Sequence, residues 1–459
     1  MQMDMEAALA RVPDYDRFFT FDEMLARTRA VAETRPDVAT LTQLGESTEG
    51  RPIEMLRIGD GPQRLLLYAL PHPNEPIGAM LIQFLLDELI ENDELRRGRS
   101  WYLLPCVDPD GTVLNEGWFG GPFTLRNYAR EFYRPRSVEQ VEWTFPIEYK
   151  TFMFRNPIPE TQALMKALET VRPHFVYSLH NAGFGGVYYY ISHDVPKAYE
   201  QLHDIPRSRG LFMSLGEPEM PWAVELHPAV YETPLITAAY DHFEKFGPPG
   251  KDPAEMLQGG AGSFDYMRSI GLEETLTLVT ELPYFQSPVI QDTSPSGMTR
   301  KEVVLAGADR TEVMADALEG ILERVRPHVD PDEKFFRTVN AFAGYYRNHI
   351  TTTRRWAETA EGMDEPASVA QRADELYIGT FYRLLIASML PRSIRAHLET
   401  GENSELSSAL ADLEKHLETW MTEVETNLDS SPIPIKRLLE VQYGAMLAVL
   451  ESGLVAAED

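Results

Sequence analysis

Apolar and polar positions along the chain follow two regimes. In the first, short strand-like runs alternate with segments of helical spacing. Residues 21–34 carry apolar side chains three and four apart, the pattern of an amphipathic helix. Residues 38–44 alternate apolar and polar, and 53–58 follow the Glu49-Gly50-Arg51-Pro52 turn, so both predict strands. The run 64–70 (RLLLYAL) is continuously apolar, as in a strand covered on both faces. It breaks at Pro71-His72-Pro73-Asn74-Glu75-Pro76, and helical spacing resumes over 77–89. A strand over 101–107 ends in Asp108-Pro109-Asp110-Gly111, a strong turn signal. A helix over 160–171 leads into a strand over 175–179 that ends at His180-Asn181, and a strand over 276–282 ends around Glu281.

Strands alternating with helices predict an α/β fold over residues 1–326. It should be a three-layer domain, with a mainly parallel or mixed sheet and helices on both faces. Within it, 120–159 is rich in Arg, aromatics and Pro without periodicity, and is expected to form long functional loops. From about residue 327 strand-like runs vanish. Helical spacing over 335–356, 369–388, 392–400, 404–428 and 435–455 predicts a C-terminal α-helical domain over 327–459. Aromatics there, Tyr345, Tyr346, Trp356 and Tyr382, are expected in the bundle core; exposed, they would form a lid over a cleft or a homo-oligomer face.

The 459 residues include 43% hydrophobic and 25% charged side chains, the balance of a globular protein with a large core. The net charge of −29 argues against a nucleic-acid or membrane-surface partner. The single cysteine, Cys106, leaves no intramolecular disulfide. Residues 1–11 lack a basic segment followed by an apolar run, and no stretch is apolar enough to span a bilayer, so a cytoplasmic location is expected.

His72 and Glu75 lie three apart on the turn after a buried strand, and an irregular turn can aim both at one point. Taken singly the pair fits any surface turn, and His180 alone fits a structural histidine. Together the three make a two-histidine, one-carboxylate zinc set, each member at the end of a buried strand. One tetrahedral position is left for water, as in catalytic sites. Glu281 interrupts an apolar strand (TLTLVTEL), where a carboxylate is costly unless it faces a site or a partner. It is placed to be the general base for a zinc-bound water and to return the proton to a leaving amine.

These fragments resemble the zinc carboxypeptidases of carboxypeptidase A type, from roughly residue 15 to 326. The resemblance is carried by Gly45-Glu46-Ser47-Thr48-Glu49-Gly50-Arg51, His72-Pro73-Asn74-Glu75-Pro76, Val107-Asp108-Pro109-Asp110-Gly111 and Pro159-Glu160-Thr161-Gln162-Ala163-Leu164. Ser178-Leu179-His180, Gly262-Ser263-Phe264-Asp265-Tyr266 and Thr280-Glu281-Leu282 complete it, in the family's order. It implies a zinc-dependent hydrolase of an amide or peptide bond, with one Zn2+ per chain on His72, Glu75 and His180 and Glu281 as catalytic glutamate.

Two departures stand out. Glu142 and Trp143 occupy the place of the family's Asn-Arg pair, whose arginine clamps a terminal carboxylate, and Leu257 lies near the place of its mobile tyrosine. An indole does not replace a planar guanidinium. Arg134 is the candidate for stabilising the oxyanion, with Arg130 and Arg126 behind it. Arg130, Arg136, Arg155 and Asn181 are candidates for substrate contact, Arg155 or Arg136 as a relocated clamp. The expected substrate is a peptide or an acyl-amino acid. The alternatives are a deacylase or amidase on an N-acyl or modified amino acid, like the related aspartoacylases and succinylglutamate desuccinylases, and a non-catalytic peptidase-like binding or scaffold protein. The helical extension is the candidate surface for a homo-oligomer.

Overall fold

In the computed structural model, which describes residues 4–453, the apolar run at 64–70 becomes a strand whose two faces feed separate cores. Leu65, Leu67 and Ala69 point into one, Leu66 and Tyr68 into the other. Side chains alternate across a strand, so a strand buried on both faces must be apolar throughout.

The sheet has nine strands: β1 (Ala39–Glu46), β2 (Pro52–Ile58), β3 (Gln63–Ala69), β4 (Arg99–Leu104), β5 (Phe175–Leu179), β6 (Tyr188–Ile191), β7 (Glu225–His227), β8 (Val230–Glu232) and β9 (Leu276–Glu281). Their order across the sheet is β1-β2-β4-β3-β5-β9-β6-β8-β7. The four central strands β4, β3, β5 and β9 run parallel, and the pairs outside them are antiparallel except β6 with β8, so the sheet is mixed. Helices α1 (Phe21–Thr34), α2 (Ile77–Glu91), α3 (Pro159–Val171) and α4 (Pro196–Ser208) accompany it. Residues of α3 enter the core of Leu66 and Tyr68, and residues of α2 and α4 the opposite one, giving three layers.

Helices dominate from α5 (Arg300–Val325) onward, through α6 (Lys334–Thr359), α7 (Gly379–Ala387), α8 (Leu390–Thr400), α9 (Ser404–Asn427) and α10 (Ile435–Gly453). Helix α5, absent from the sequence reading, moves the start of this region ahead of residue 327. It is capped by Thr299 and Glu302, each bonding the other's backbone N–H, and packs on α6 and α9. The helix expected over 369–388 is interrupted by a π-helical turn, Asp374–Ile378. The one expected over 435–455 reaches Gly453, and its last two residues lie outside the described ones. The segment 120–159, expected as loops, contains a helix at Leu125–Glu131 and a hairpin of Ile147–Tyr149 with Phe152–Phe154.

The last helix leaves the others and returns to the sheet. Helix α10 packs against α2, α4 and β9, and its Leu438, Leu439, Met446 and Leu450 share the core of Leu65 and Leu67. Helical region and sheet are therefore joined by one continuous apolar core. No helix among the described residues is long and apolar enough to cross a membrane.

Close approach of α2 to β5 sets the geometry at the strand ends. A Cβ on Gly78 would fall inside van der Waals contact with the Leu179 Cβ, which cannot move aside. Gly78→Ala is therefore expected to destabilise the fold by about 1–3 kcal/mol. Exposed Gly320 in α5 has nothing within 4 Å of its would-be Cβ. Gly320→Ala should stabilise by about 0.5–1 kcal/mol. Denaturant melts of the two variants check the pair, and opposite signs are the expected result.

Candidate metal centre and active site

Three adjacent parallel strands, β3, β5 and β9, deliver the chemistry at their C-terminal ends, where ligands bind in open α/β sheets. After β3 the chain turns at Leu70, whose φ of 56° is unusual for a residue with a side chain. It then places His72 and Glu75 ahead of α2. His180 follows β5 directly, and Glu281 is the last residue of β9.

The Nδ1 atoms of His72 and His180 each lie 3.0 Å from a different oxygen of Glu75. The two ring centroids are 4.9 Å apart, and one ligand atom from each of the three residues lies within 4.8 Å of the others. All three are buried. Donor atoms on a tetrahedral zinc with bonds of about 2.0–2.2 Å are spaced by roughly 3.3–3.6 Å, which this cluster approaches. Two imidazoles and one carboxylate are a donor set suited to zinc, and the residues fit that ion.

Electrostatics point the same way. Burial, helped by the Arg134 charge, pushes His72 down to about 4, so its ring is neutral and free to donate an electron pair. Burial penalises the Glu75 carboxylate, yet the flanking imidazoles hold it well below the usual range. His180 is drawn upward against burial by Glu142 and Glu75. Glu75, Glu142 and Glu281 thus surround two imidazoles with three acids, and such a cluster is stabilised by a cation.

Glu281 is only 9% exposed, and among the described residues burial and neighbouring charges, with no hydrogen bond, act on its carboxylate. Its pKa is raised well above the carboxylate value, first by burial and then by the Glu75 and Glu219 charges, with His180 opposing. A buried carboxylate facing a metal-ligand cluster is poised to take up a proton. Arg134 stands on the other side, its Nη1 3.3 Å from Glu75 Oε1 and its Nε donating to Gln140 Oε1 at 3.1 Å.

The other candidates are engaged elsewhere. Asn181 Oδ1 accepts from Ile77 N, and its Nδ2 donates to the Leu282 carbonyl, tying β5 to α2 and β9. Arg155 is bound to Glu148 with 66% of its side chain exposed, and Arg130, bound to Glu131, is 65% exposed. Arg136 pairs with Glu139, and Arg126 with Glu418 and Glu425 of α9. None of these four arginines contacts His72, Glu75, His180 or Glu281.

Sequence reasoning saw Glu142 only as a departure. Its buried carboxylate accepts from Tyr68 Oη at 2.6 Å, Ser263 N at 2.9 Å, Ser178 Oγ at 3.1 Å and Ser263 Oγ at 3.2 Å. It lies 3.9 Å from His180 Nε2, behind the candidate ligand. The signal was present in Val141-Glu142-Trp143, a lone acid between apolar residues. Also missed were two contacts from the helical region. Gln442 Nε2 donates to the His180 carbonyl at 3.3 Å, and Tyr382 Oη accepts from Gly183 N at 3.0 Å.

The fragments 45–51, 107–111 and 159–164 meet as a brace beside the site. Asp110 accepts from Ser47 Oγ at 2.6 Å, Glu49 N at 2.8 Å and Arg51 Nη1 at 2.7 Å, while Glu160 accepts from Thr48 N at 2.7 Å.

Residues 24–211 match the family model for zinc carboxypeptidases. Zinc carboxypeptidase A 1 of Drosophila melanogaster is 27% identical over 113 residues, 22% of this chain and 26% of that protein. Carboxypeptidase B of Astacus astacus is 25% identical over 105 residues, 21% of this chain and 35% of that protein. The chain thus spans about a quarter to a third of the length of these relatives. The solved carboxypeptidase A from Helicoverpa armigera aligns at 19% identity with a TM-score of 0.36, covering 61% of this chain and 69% of that one. The matched segment, which holds His72, Glu75 and His180, is thus similar to the zinc carboxypeptidase family.

Proposed function

We propose that this chain is a zinc-dependent hydrolase of an amide bond in a peptide or an acyl-amino acid. The observation that carries the reading is the buried Glu281 carboxylate, which ends a strand beside the His72, Glu75 and His180 cluster and feels the charges of Glu75 and His180 without a hydrogen bond. Similarity to the family supports metallopeptidase hydrolysis in general; the roles below rest on the geometry.

A zinc ion held by His72, Glu75 and His180 supplies a Lewis acid and lowers the pKa of water. Glu281 accepts the proton of the attacking water and delivers it to the leaving nitrogen, and its raised pKa favours both transfers. Arg134, held by Gln140, presents a guanidinium to the oxygen that gains charge in the tetrahedral intermediate. Glu142 braces His180 from behind, the arrangement by which a carboxylate orients a ligand imidazole.

One observation favours the deacylase or amidase reading over an exopeptidase. Trp143 stands where the carboxylate-clamping arginine is expected, the acid Glu142 stands beside it, and Arg130, Arg136 and Arg155 do not reach the cluster. A buried anion there repels a free C-terminal carboxylate.

Glu281→Gln should lower kcat by about 100- to 10,000-fold while metal analysis still finds one zinc per chain. Full activity in this variant overturns the mechanism. In a screen of free peptides, C-terminally amidated peptides and N-acyl amino acids, N-acyl amino acids are the expected substrates. A strict requirement for a free peptide C-terminus would restore the exopeptidase.

The reaction needs ionised Glu281, so kcat/KM has an acid limb and falls as pH drops through its pKa, which burial and the Glu75 and Glu219 charges raise. Removing the Glu219 charge lowers that pKa, and Glu219→Gln should move the limb to lower pH. Comparing the two profiles with the same metal bound isolates Glu219. An unmoved or upward-shifted limb contradicts the assignment.

A further inference from the structure

The helical region does more than cover the sheet: two of its helices form walls near the candidate site. Helix α6 begins with Phe335 against Tyr133, the residue before Arg134, their ring centroids 5.3 Å apart. Helix α7 places Tyr382 on the loop after His180, where its hydroxyl accepts from Gly183 N at 3.0 Å and Phe184 N at 3.3 Å and donates to the Phe184 carbonyl at 3.1 Å. Tyr382 is nonetheless 38% exposed, and Tyr345, Tyr346 and Arg383 are half-buried. Burial is the largest cause of the raised pKa of each of the three tyrosines. Side chains that touch solvent while protein surrounds them on most sides line a cleft. Glu219 and Glu281 lie within electrostatic reach of Tyr382, and Arg134 and Arg383 both lie within reach of Tyr346.

Arg383 is the anomaly in that cleft. Its Nε and Nη2 are buried and make no hydrogen bond, and the guanidinium forms no ion pair within 4 Å. Its neighbours are Tyr346, Glu375 and Arg310, with Glu375 the nearest opposite charge and Arg310 repelling. Other arginines also lack a carboxylate partner, but among the described residues Arg383 has two buried guanidinium nitrogens without a hydrogen bond, where the other arginines with such a nitrogen have one. Stranding buried donors costs stability, and such a group persists where a ligand completes it.

We propose that Arg383, supplied by the helical region, reads a carboxylate on the substrate and thereby sets specificity. The planar fork of its guanidinium suits a carboxylate bound through two parallel hydrogen bonds. The substrate class is then an amide with an acidic group set away from the scissile bond, such as an amino acid acylated by a dicarboxylic acid. This deepens the hydrolase reading and rests on it for the position of the scissile bond. Binding of the anion can be tested without turnover.

The probe is glutarate, titrated calorimetrically into the full-length protein after chelation of metal, with glutaramide as the neutral control. Wild type should bind glutarate in preference to glutaramide. Arg383→Met should weaken glutarate binding about 10- to 100-fold, and Arg383→Lys should restore part of it. Thermal melts separate this role from a structural one. A ligand-binding Arg383 leaves Arg383→Met at least as stable as wild type, with glutarate raising the Tm of wild type alone. A structural partner of Glu375 makes the variant less stable, with glutarate without effect on either protein, and overturns the proposal. So does equal glutarate affinity in wild type and Arg383→Met, or none in wild type. If Arg383→Met does not fold, the Arg383→Lys titration decides, since unchanged affinity there rejects a bidentate fork. Among metal-loaded wild type and variants, the KM ratio between glutaryl- and butyryl-amides should collapse in Arg383→Met. The same comparison with the acid on the amine side shows which half of the substrate carries the anion. Glutarate binding without any turnover would refute the hydrolase reading while leaving the anion site standing.

Discussion

A carboxylate buried between two imidazoles is the constraint on which the rest of the site depends. Glu75 is 3% exposed, and in a protein interior an ionised acid persists only if hydrogen bonds and positive charge compensate it. Its oxygens are taken by His72, His180 and Arg134, and the backbone N–H of Asn181 reaches it at 3.3 Å. Glu142 and Glu281 add two more acids to the same volume. With the His72 ring neutral, the imidazoles are a weak answer to three acids; a divalent ion is a strong one. The family's zinc chemistry and the local charge balance therefore describe one requirement.

That requirement explains the architecture around it. The ligands come from the ends of neighbouring parallel strands because this is where a sheet can bring distant segments within bonding reach without bending any of them. Gly78 lets α2 close on β5, which brings Glu75 to His180. Asn181 then spends its whole amide tying α2, β5 and β9 at that junction. The helical region holds the same loops from outside, through Gln442 on the His180 carbonyl, Tyr382 on Gly183 and Phe184, and the Ile433 N–H on the Tyr284 carbonyl. Residues far apart in the chain thus fix the backbone of a site to which they contribute no candidate ligand.

What the sequence made legible follows from how local each signal is. The strands at 64–70, 175–179 and 276–282 are short apolar runs bounded by turns, and they appear where expected, with His72, His180 and Glu281 at their ends. Helix α5 escaped notice although Thr299 and Glu302 form a readable cap, because its buried face leans on Ala and Gly positions such as Gly307 and Ala308, which carry little hydrophobic signal. The roles of Asn181 and the arginines were not legible. Arginine in a loop reads the same whether it meets substrate or, like Arg155, a neighbouring glutamate, and only the fold supplies the partner. The aromatic residues of the helical region were expected in a bundle core. Tyr382 instead reaches the loop after His180, which depends on which helix faces which, and helical periodicity gives the phase of a face and never its neighbour.

The relation between Glu142 and Arg383 carries the specificity argument one step further. On the proposed reading, a site with the indole of Trp143 in place of a clamping arginine and the buried acid Glu142 beside it has changed what it can hold, because a cation is lost and an anion gained. Glu142 is locked by four donated hydrogen bonds, so it is part of the frame and not a group waiting for substrate. An anionic substrate group is then excluded from that side and needs a cation elsewhere. Among the arginines considered for substrate contact, Arg126, Arg130, Arg136 and Arg155 already have carboxylate partners, and Arg134 is bound to Glu75. The guanidinium of Arg383 has none, and it stands on the helices that wall the cleft. Repulsion at one end and an unpaired fork at the other orient a substrate more sharply than either alone, since the wrong orientation meets a penalty as well as losing a contact.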